Sequence, residues 1–437
     1  MITSSVAGRA DRLSIRRSVP LGRCTESNGP RCSCLPSAPT VFAAVGLALA
    51  TALSACGSGG GSTASSGPIT IGASIPLTGP LAGFGYFEKW GYQHAVNGVN
   101  AAGGITIGGV KRKVKLILLD DQTNPNTTVN NVQRLITQDH VNALLGSCTD
   151  SLVEPGALIA NRMGVPMVTP CAAVNTFGVT AKWKWAWDLF FNSAQLTETP
   201  FNTADALGLK AKTNSKVAII HSNGKNENIM GGQEWPAWAK KHGWTVAYNQ
   251  PFPPDQSQFT SALQAVKASG ADMLLVVLPP PAAIALRKQM VSVGYTPKIL
   301  VIEEGGEPLQ FATAPGKLAN GVMVGGYWDP SFPYPGANQI RKEFEVQTHQ
   351  TFSQHIADTD AAAQVLLDAI KRAGSLDPTK INDQIAKTNT MTVVGHIQFG
   401  PEHTSTLPMV EEQWQNGKNV VIWPQNRATA KVLFPLP

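Results

Sequence analysis

Apolar runs of strand length alternate with stretches of helical spacing along most of this chain. In residues 143–173, ALLGSCTDSLVEPGALIANRMGVPMVTPCAA, the runs 143–147 and 165–169 flank a helix-compatible segment at 156–163. This predicts one βαβ unit with parallel strands. Upstream, the same pattern predicts strands over 69–77 and 113–121 and a helix over 84–100 stopped by Gly103 and Gly104. Asn124 as N-cap and Pro125 at the first helical position open a helix to Gln138. Residues 183–191 read as an extended segment that leaves this first series. A second series repeats the logic, with strands over 216–222, 244–249, 273–278 and 298–302 and helices over 229–242, 259–268 and 281–293. The remainder predicts a strand over 321–327, helices over 337–347 and 358–373, a short helix opened by Asp377 and Pro378, and β segments over 396–400, 409–415 and 419–423. Two doubly wound α/β lobes account for this order.

Composition leaves that picture in place. At 437 residues, with 43% apolar and 15% charged content, the chain is ordinary for a core-forming protein of about two or three domains. Its formal charge is +6, but Arg9, Arg12, Arg16, Arg17, Arg23 and Arg31 against Asp11 and Glu26 concentrate most of that excess in the first forty residues. The rest gives no reason to expect nucleic acid as a partner. The uncharged run 41–52 is too short for a permanent membrane span and suits the core of a signal peptide. It leads into Leu53-Ser54-Ala55-Cys56, which resembles the lipobox of bacterial lipoproteins and implies cleavage before Cys56 and lipidation of its thiol. Residues 1–55 are therefore expected to be a signal peptide with an N-terminal extension, and 56–68 a lipidated Gly/Ser tether to a membrane surface.

Candidate chemistry sits at the strand ends. Ser147, Cys148 and Thr149 follow one strand of the central unit, and Pro170, Cys171, Ala172 and Ala173 follow the other. Ligands of open α/β sheets bind beyond such ends, where helix N-termini offer N–H groups, so a small ligand with a carboxylate would fit there. Ordinary loops after core strands are the alternative. Enzyme motifs are scarce: Glu88 stands where a dinucleotide fingerprint needs its third glycine, and no Walker lysine motif, serine elbow or zincin histidine pair occurs. No cofactor and no metal site is expected. A cysteine nucleophile at Cys148 would need a base such as His140 or His221, and nothing in the pattern brings either to it. Cys148 and Cys171 each lie just past their strands; if those strands are neighbours, about 5 Å apart, the separation suits a disulfide, which an exported protein permits. Two free, buried thiols are the alternative. Lys182 and Lys184 alternate with Trp183, Trp185 and Trp187, which reads as a strand with one aromatic face used in packing rather than as a carbohydrate platform.

With these elements in place, the chain resembles the leucine/isoleucine/valine-type solute-binding proteins of bacterial ABC importers, of the type I periplasmic-binding-protein fold. The resemblance runs over 69–423 and is carried by IGASIPLTGPLAGFG, VNAAGG, LILLDDQTNP, the 143–173 unit, KVAIIH and SVGY. It implies two lobes joined by a three-segment hinge, with crossings near 190–192, 325–327 and 399–401. Lobe one would be 69–190 plus 327–399, and lobe two 192–325 plus 400–437. Hinge closure over a small ligand would present a shape to a membrane permease.

The resemblance also implies roles for individual residues. Thr149 matches the residue that binds the ligand carboxylate through hydroxyl and backbone N–H, beside Cys148. Ala172 matches a backbone contact, Phe84 an aromatic wall, and Glu304 the lobe-two carboxylate that pairs with the ligand ammonium. Trp328 lies where an aromatic from the hinge strand would close the cavity. The pattern is altered on three sides: Ala173 replaces a threonine, Asn226 stands in a loop that commonly carries a tyrosine, and Pro279, Pro280 and Pro281 replace aromatics. The expected ligand is a branched-chain amino acid, with an amide, an aromatic acid or another small carboxylate as alternatives. A sensor of the same fold without a transport role, and a secreted hydrolase using Cys148, are the competing functions.

Overall fold

In the computed structural model, residues 67–172, 180–405 and 407–437 are described. Cys56 with the lipobox and Ala173 lie outside them. The chain enters through β1 (Ile69–Ile75), α1 (Ala82–Ala101), a short hairpin of β2 (Ile105–Ile107) and β3 (Val110–Arg112), and β4 (Val114–Asp120). Next come α2 (Pro125–Thr137), β5 (Ala143–Leu145), α3 (Asp150–Met163), β6 (Met167–Thr169) and β7 (Ala186–Asp188). The five longer-range strands form a parallel sheet in the order β4-β1-β5-β6-β7. Such strands are covered on both faces, which is why they read as apolar runs rather than as alternations.

The second sheet is built by β8 (Lys216–Ser222), β9 (Thr245–Phe252), β10 (Met273–Leu278), β11 (Ile299–Glu304) and β12 (Met323–Gly326), extended by two late strands. Between β7 and β8 lies a helix that the hydrophobic pattern does not reveal, α4 (Ser193–Ala206). It is opened by a capping box in which Asn192 accepts from the Gln195 N–H and the Gln195 side chain accepts from the Asn192 N–H. After β8 come α5 (Lys225–Ile229), a π-helical turn (Met230–Glu234), α6 (Trp235–Lys241), α7 (Thr260–Ser269), α8 (Pro280–Val293) and α9 (Leu309–Thr313).

Beyond β12 the chain returns to the first lobe as α10 (Ala337–Thr348), α11 (Gln354–Ala373) and α12 (Pro378–Ala386), with α11 packed along α1. A hairpin of β13 (Asn389–Thr392) and β14 (Gly395–Gln398) follows. Residues 403–405 then run beside β7: Asp188 N–H donates to the His403 carbonyl, Ser405 N–H to the Asp188 carbonyl, and the His403 ring stacks on Trp187 at 3.7 Å. The final crossing therefore comes after Ser405, not at 399–401. β15 (Val410–Gln415) and β16 (Lys418–Trp423) complete the second sheet in the order β16-β15-β12-β11-β10-β8-β9, antiparallel at β12–β15 and β15–β16.

Two expected elements begin earlier than their sequence signals. The central helix starts at Asp150 rather than 156, because Pro155 is accommodated inside α3. The 358–373 helix begins at Gln354, so that His355 and Asp358 share its buried first turns. Tryptophans 183 and 187 are buried in the first lobe, Trp187 donating to Asn382 Oδ1 at 2.8 Å.

Candidate functional site

A cavity of about 410 Å³ opens between the two sheets, beyond the carboxyl ends of β5, β6, β10 and β11. Of the residues singled out from the sequence, Phe84, Thr149, Ala172, Asn226 and Glu304 line it. Thr149 and Glu304 share a further property: both have positive φ, 68° and 58°, in non-glycine residues. A residue held in this region costs about 1–3 kcal/mol and persists only where the surroundings impose it. Each terminates a strand edge at the cavity, so the unusual backbone aims both side chains at the same space.

The lobe-one wall carries hydroxyls and aromatic rings beside Asp150 and Glu154 of α3, and its loops are held from behind. Glu88, fully buried in α1, accepts from Ser147 Oγ at 2.9 Å and from the Cys148 N–H. Burial raises its pKa well above the ordinary value. Asp188 accepts from Thr169 Oγ1 at 2.7 Å and from the amides of Phe190 and Ala172. Its carboxyl is pushed up to about 8 by desolvation, which those hydrogen bonds only partly offset. These anchors correct part of the expected chemistry. The Thr149 N–H donates to the Cys171 carbonyl at 3.2 Å, and the Cys148 and Ala172 amides are held by Glu88 and Asp188. What Thr149 turns to the cavity is its hydroxyl, 3.4 Å from that of Ser151 at the start of α3.

Cys148 does not line the cavity. It lies behind the wall, with its Sγ at bonding distance from that of Cys171 and the Cα atoms 4.7 Å apart, across a parallel bridge that extends β5 and β6. A buried sulfur joined to its neighbour is no nucleophile. His355 and Asp358 approach the same two sulfurs, but a disulfide offers no thiolate to a metal. Trp328 is also displaced from its expected place. It follows Tyr327 out of the hinge strand on the opposite side, packs 5.2 Å from Phe352, and donates its indole N–H to the Val393 carbonyl at 2.6 Å. The aromatic wall consists instead of Phe84 and Phe190.

The lobe-two wall is acidic. Glu227 from α5, Glu303 and Glu304 from β11, and Glu307 from the following turn all reach the cavity. Burial raises Glu303 and Glu304 well above the ordinary carboxyl range, and neighbouring carboxylates push in the same direction. Glu307 accepts from the Glu304 N–H at 2.9 Å with one oxygen and meets His355 Nε2 at 2.9 Å with the other.

That contact joins the lobes. His355, buried on α11, meets Asp358 Oδ2 through Nδ1 at 3.0 Å, and Tyr327 in the hinge donates its hydroxyl to the same carboxylate. Burial opposes charge on the imidazole, yet Asp358 and Glu307 together outweigh it and raise the pKa to about 10. Gln354 braces the hinge from the same helix, accepting from the Tyr327 N–H at 3.1 Å and donating to the Gly325 carbonyl at 3.3 Å. At the opposite rim, Lys225 of α5 pairs with Glu154 of α3 at 2.9 Å. Sequence reasoning missed Glu88, Glu227, Glu307 and His355. Only the motif VIEEGGE, which contains Glu307, and the Asn226-Glu227 pair carried a signal for any of them.

Two α/β lobes, three chain crossings and a cavity lined from both sides define a hinged solute-binding fold. The family model for periplasmic binding proteins matches residues 68–418, and the chain belongs to that family. It is 25% identical over 391 residues to the Leu/Ile/Val-binding protein homolog 8 of Brucella abortus, covering 85% of this chain and 94% of that one. Among solved structures it resembles the branched-chain amino acid transporter substrate-binding protein LivJ of Streptococcus pneumoniae in complex with isoleucine. The TM-score is 0.71 at 20% identity, over 84% of this chain and all of that one. It also resembles a solute-binding protein of an ABC transporter from Rhodopseudomonas palustris in complex with 3,4-dihydroxybenzoic acid. There the TM-score is 0.67 at 19% identity, over 80% of this chain and 95% of that one. No helix among the described residues is long and apolar enough to cross a membrane.

Proposed function

We propose that this chain is the extracytoplasmic solute-binding component of an ABC importer, without catalytic activity. It holds a small amino acid, or a related amide or carboxylate, between its lobes by hinge closure. Lipidated Cys56 tethers it to the membrane, and an ABC permease receives the loaded form. The observation that carries this reading is the placement of Thr149 and Glu304, from different lobes and both at positive φ, on opposite sides of one cavity. The Thr149 hydroxyl suits a carboxylate and the lobe-two glutamates suit an ammonium, so the polarity fits a zwitterion better than an aromatic acid that lacks a cation.

The test is a thermal-shift screen of the domain begun at Ile69 against amino acids, amides and small aliphatic and aromatic acids. A ligand that binds only the folded state raises stability by about 2.7 kcal/mol at one hundred times its Kd. Stabilisation by branched-chain or other small amino acids is expected. The absence of a shift with every compound would contradict a solute-binding role.

A further inference from the structure

Glu227 and Glu304 come from different elements of the second lobe and meet on the cavity wall, their side chains hydrogen-bonded to each other. Two carboxylates are acceptors only, so this contact requires a proton between them. Glu304 Oε2 and Asn226 Oδ1, both at the cavity, are buried without a protein partner. Among the described residues, the cavity lining supplies no spare positive charge. Glu307 and Asp150 bear on Glu304 with like charge, and Asp255 adds another carboxyl to the lining. The two basic residues of the cavity are already paired, Lys225 with Glu154 and His355 with Glu307 and Asp358.

We propose that Glu227 and Glu304 form a two-carboxylate clamp for the cationic nitrogen of the ligand, a primary ammonium or the N–H face of an amidinium or guanidinium. The nitrogen enters by displacing the shared proton to solvent. An ammonium carries three N–H groups, enough for both carboxylates and Asn226 Oδ1. The balance is simple: clamp and proton plus cationic ligand give the ionised clamp with its ligand, and one proton is released. Affinity for such a ligand therefore rises with pH through the titration of the pair, whereas a ligand without a cation leaves the proton in place. This inference rests on the solute-binding reading and adds to it a second binding carboxylate and a charge requirement.

Isothermal titration of the purified protein with L-isoleucine, L-ornithine and benzoate tests it. Each is run at one pH near 6.5 in two buffers of different ionisation enthalpy, so that the difference in heat counts protons. The expected result is release approaching one proton per bound isoleucine or ornithine. Glu227→Gln should abolish that release and weaken the ammonium ligand about tenfold, while Glu227→Asp should restore part of both. Melting of each variant without ligand checks that it folds. An ammonium ligand that binds without proton release, with affinity unchanged in Glu227→Gln, overturns the clamp and leaves solute binding standing. Binding of benzoate alone, or of none of the three, overturns the clamp and the amino-acid reading together.

Discussion

The wall built around α3 and the wall built by α5 and β11 face the same cavity with opposite designs. On the first, buried carboxylates stand behind the surface: Glu88 and Asp188 hold the loop amides, and hydroxyls and aromatic rings face the ligand space, with Asp150 and Glu154 of α3 beside them. On the second, the carboxylates are the surface. The same residue type is thus used once to fix a backbone and once to meet a guest, and burial raises its pKa in both settings. Glu303 combines the two, accepting from the Gly325 N–H at 3.1 and 3.2 Å while it lines the cavity.

The largest expected effect lies where the walls touch. His355→Gln leaves Asp358 buried and Glu307 partly buried without their cation, and removing one partner of a buried pair costs about 3–5 kcal/mol. Chemical denaturation should show the loss, and Phe84→Leu, which touches the ring but not the charge, should show less. The same groups set the response to pH. His355, raised to about 10, and His94, raised to about 9 by Asp360 and Glu343 against burial, stabilise fully below the ordinary histidine value and lose that contribution as pH climbs through the raised one. Asp188 and Glu411, both pushed up to about 8 by desolvation, keep protons that the unfolded chain gives up from about pH 4 onward. All four shifts have one sign, so the melting temperature should fall between pH 6.5 and 9. A rise over that interval would show that these groups are not protonated as described.

Next comes the acidic wall itself. Glu304→Gln should weaken an ammonium-bearing ligand by about 1.5–3 kcal/mol, roughly ten- to hundredfold, and a neutral amide much less. Equal losses for both would remove the charge pairing assigned to it. On the lobe-one wall, Thr149→Val keeps the branched shape at positive φ and deletes only the hydroxyl. It should cost a carboxylate ligand about 1 kcal/mol and leave a carboxamide nearly unaffected. Smallest of all is the rim pair. Lys225 is 60% exposed, so Lys225→Met should change affinity by less than about 1 kcal/mol, and high salt should erase the difference.

The contrast between the walls also explains what was legible beforehand. Parallel strands buried on both faces announce themselves, and KVAIIHS occupies the range its apolar run predicts. Asn124-Pro125 and Asp377-Pro378 open their helices because capping is local chemistry, with the Asn124 side chain accepting from the amides at 126 and 127. α4 escaped notice because Pro200 and three threonines blur its apolar face, although its Asn192 to Gln195 box was in plain view. Thr149 and Glu304 were readable as strand-end residues. His355, by contrast, reaches the cavity from a helix two crossings later in the chain, and Glu88 acts from beneath a loop about sixty residues distant in sequence. Trp328 failed for a related reason. Which way a side chain leaves the hinge depends on alternation about Tyr327, and a shift of one residue exchanges the cavity side for the core.

A crystal structure of the protein with an amino acid bound would show which wall receives which end of the ligand. The two-wall account predicts the ligand nitrogen about 3 Å from Glu304 and its carboxylate against the hydroxyls of Thr149 and Ser151. A ligand seated in the reverse orientation, or outside the space that these residues share, would contradict it.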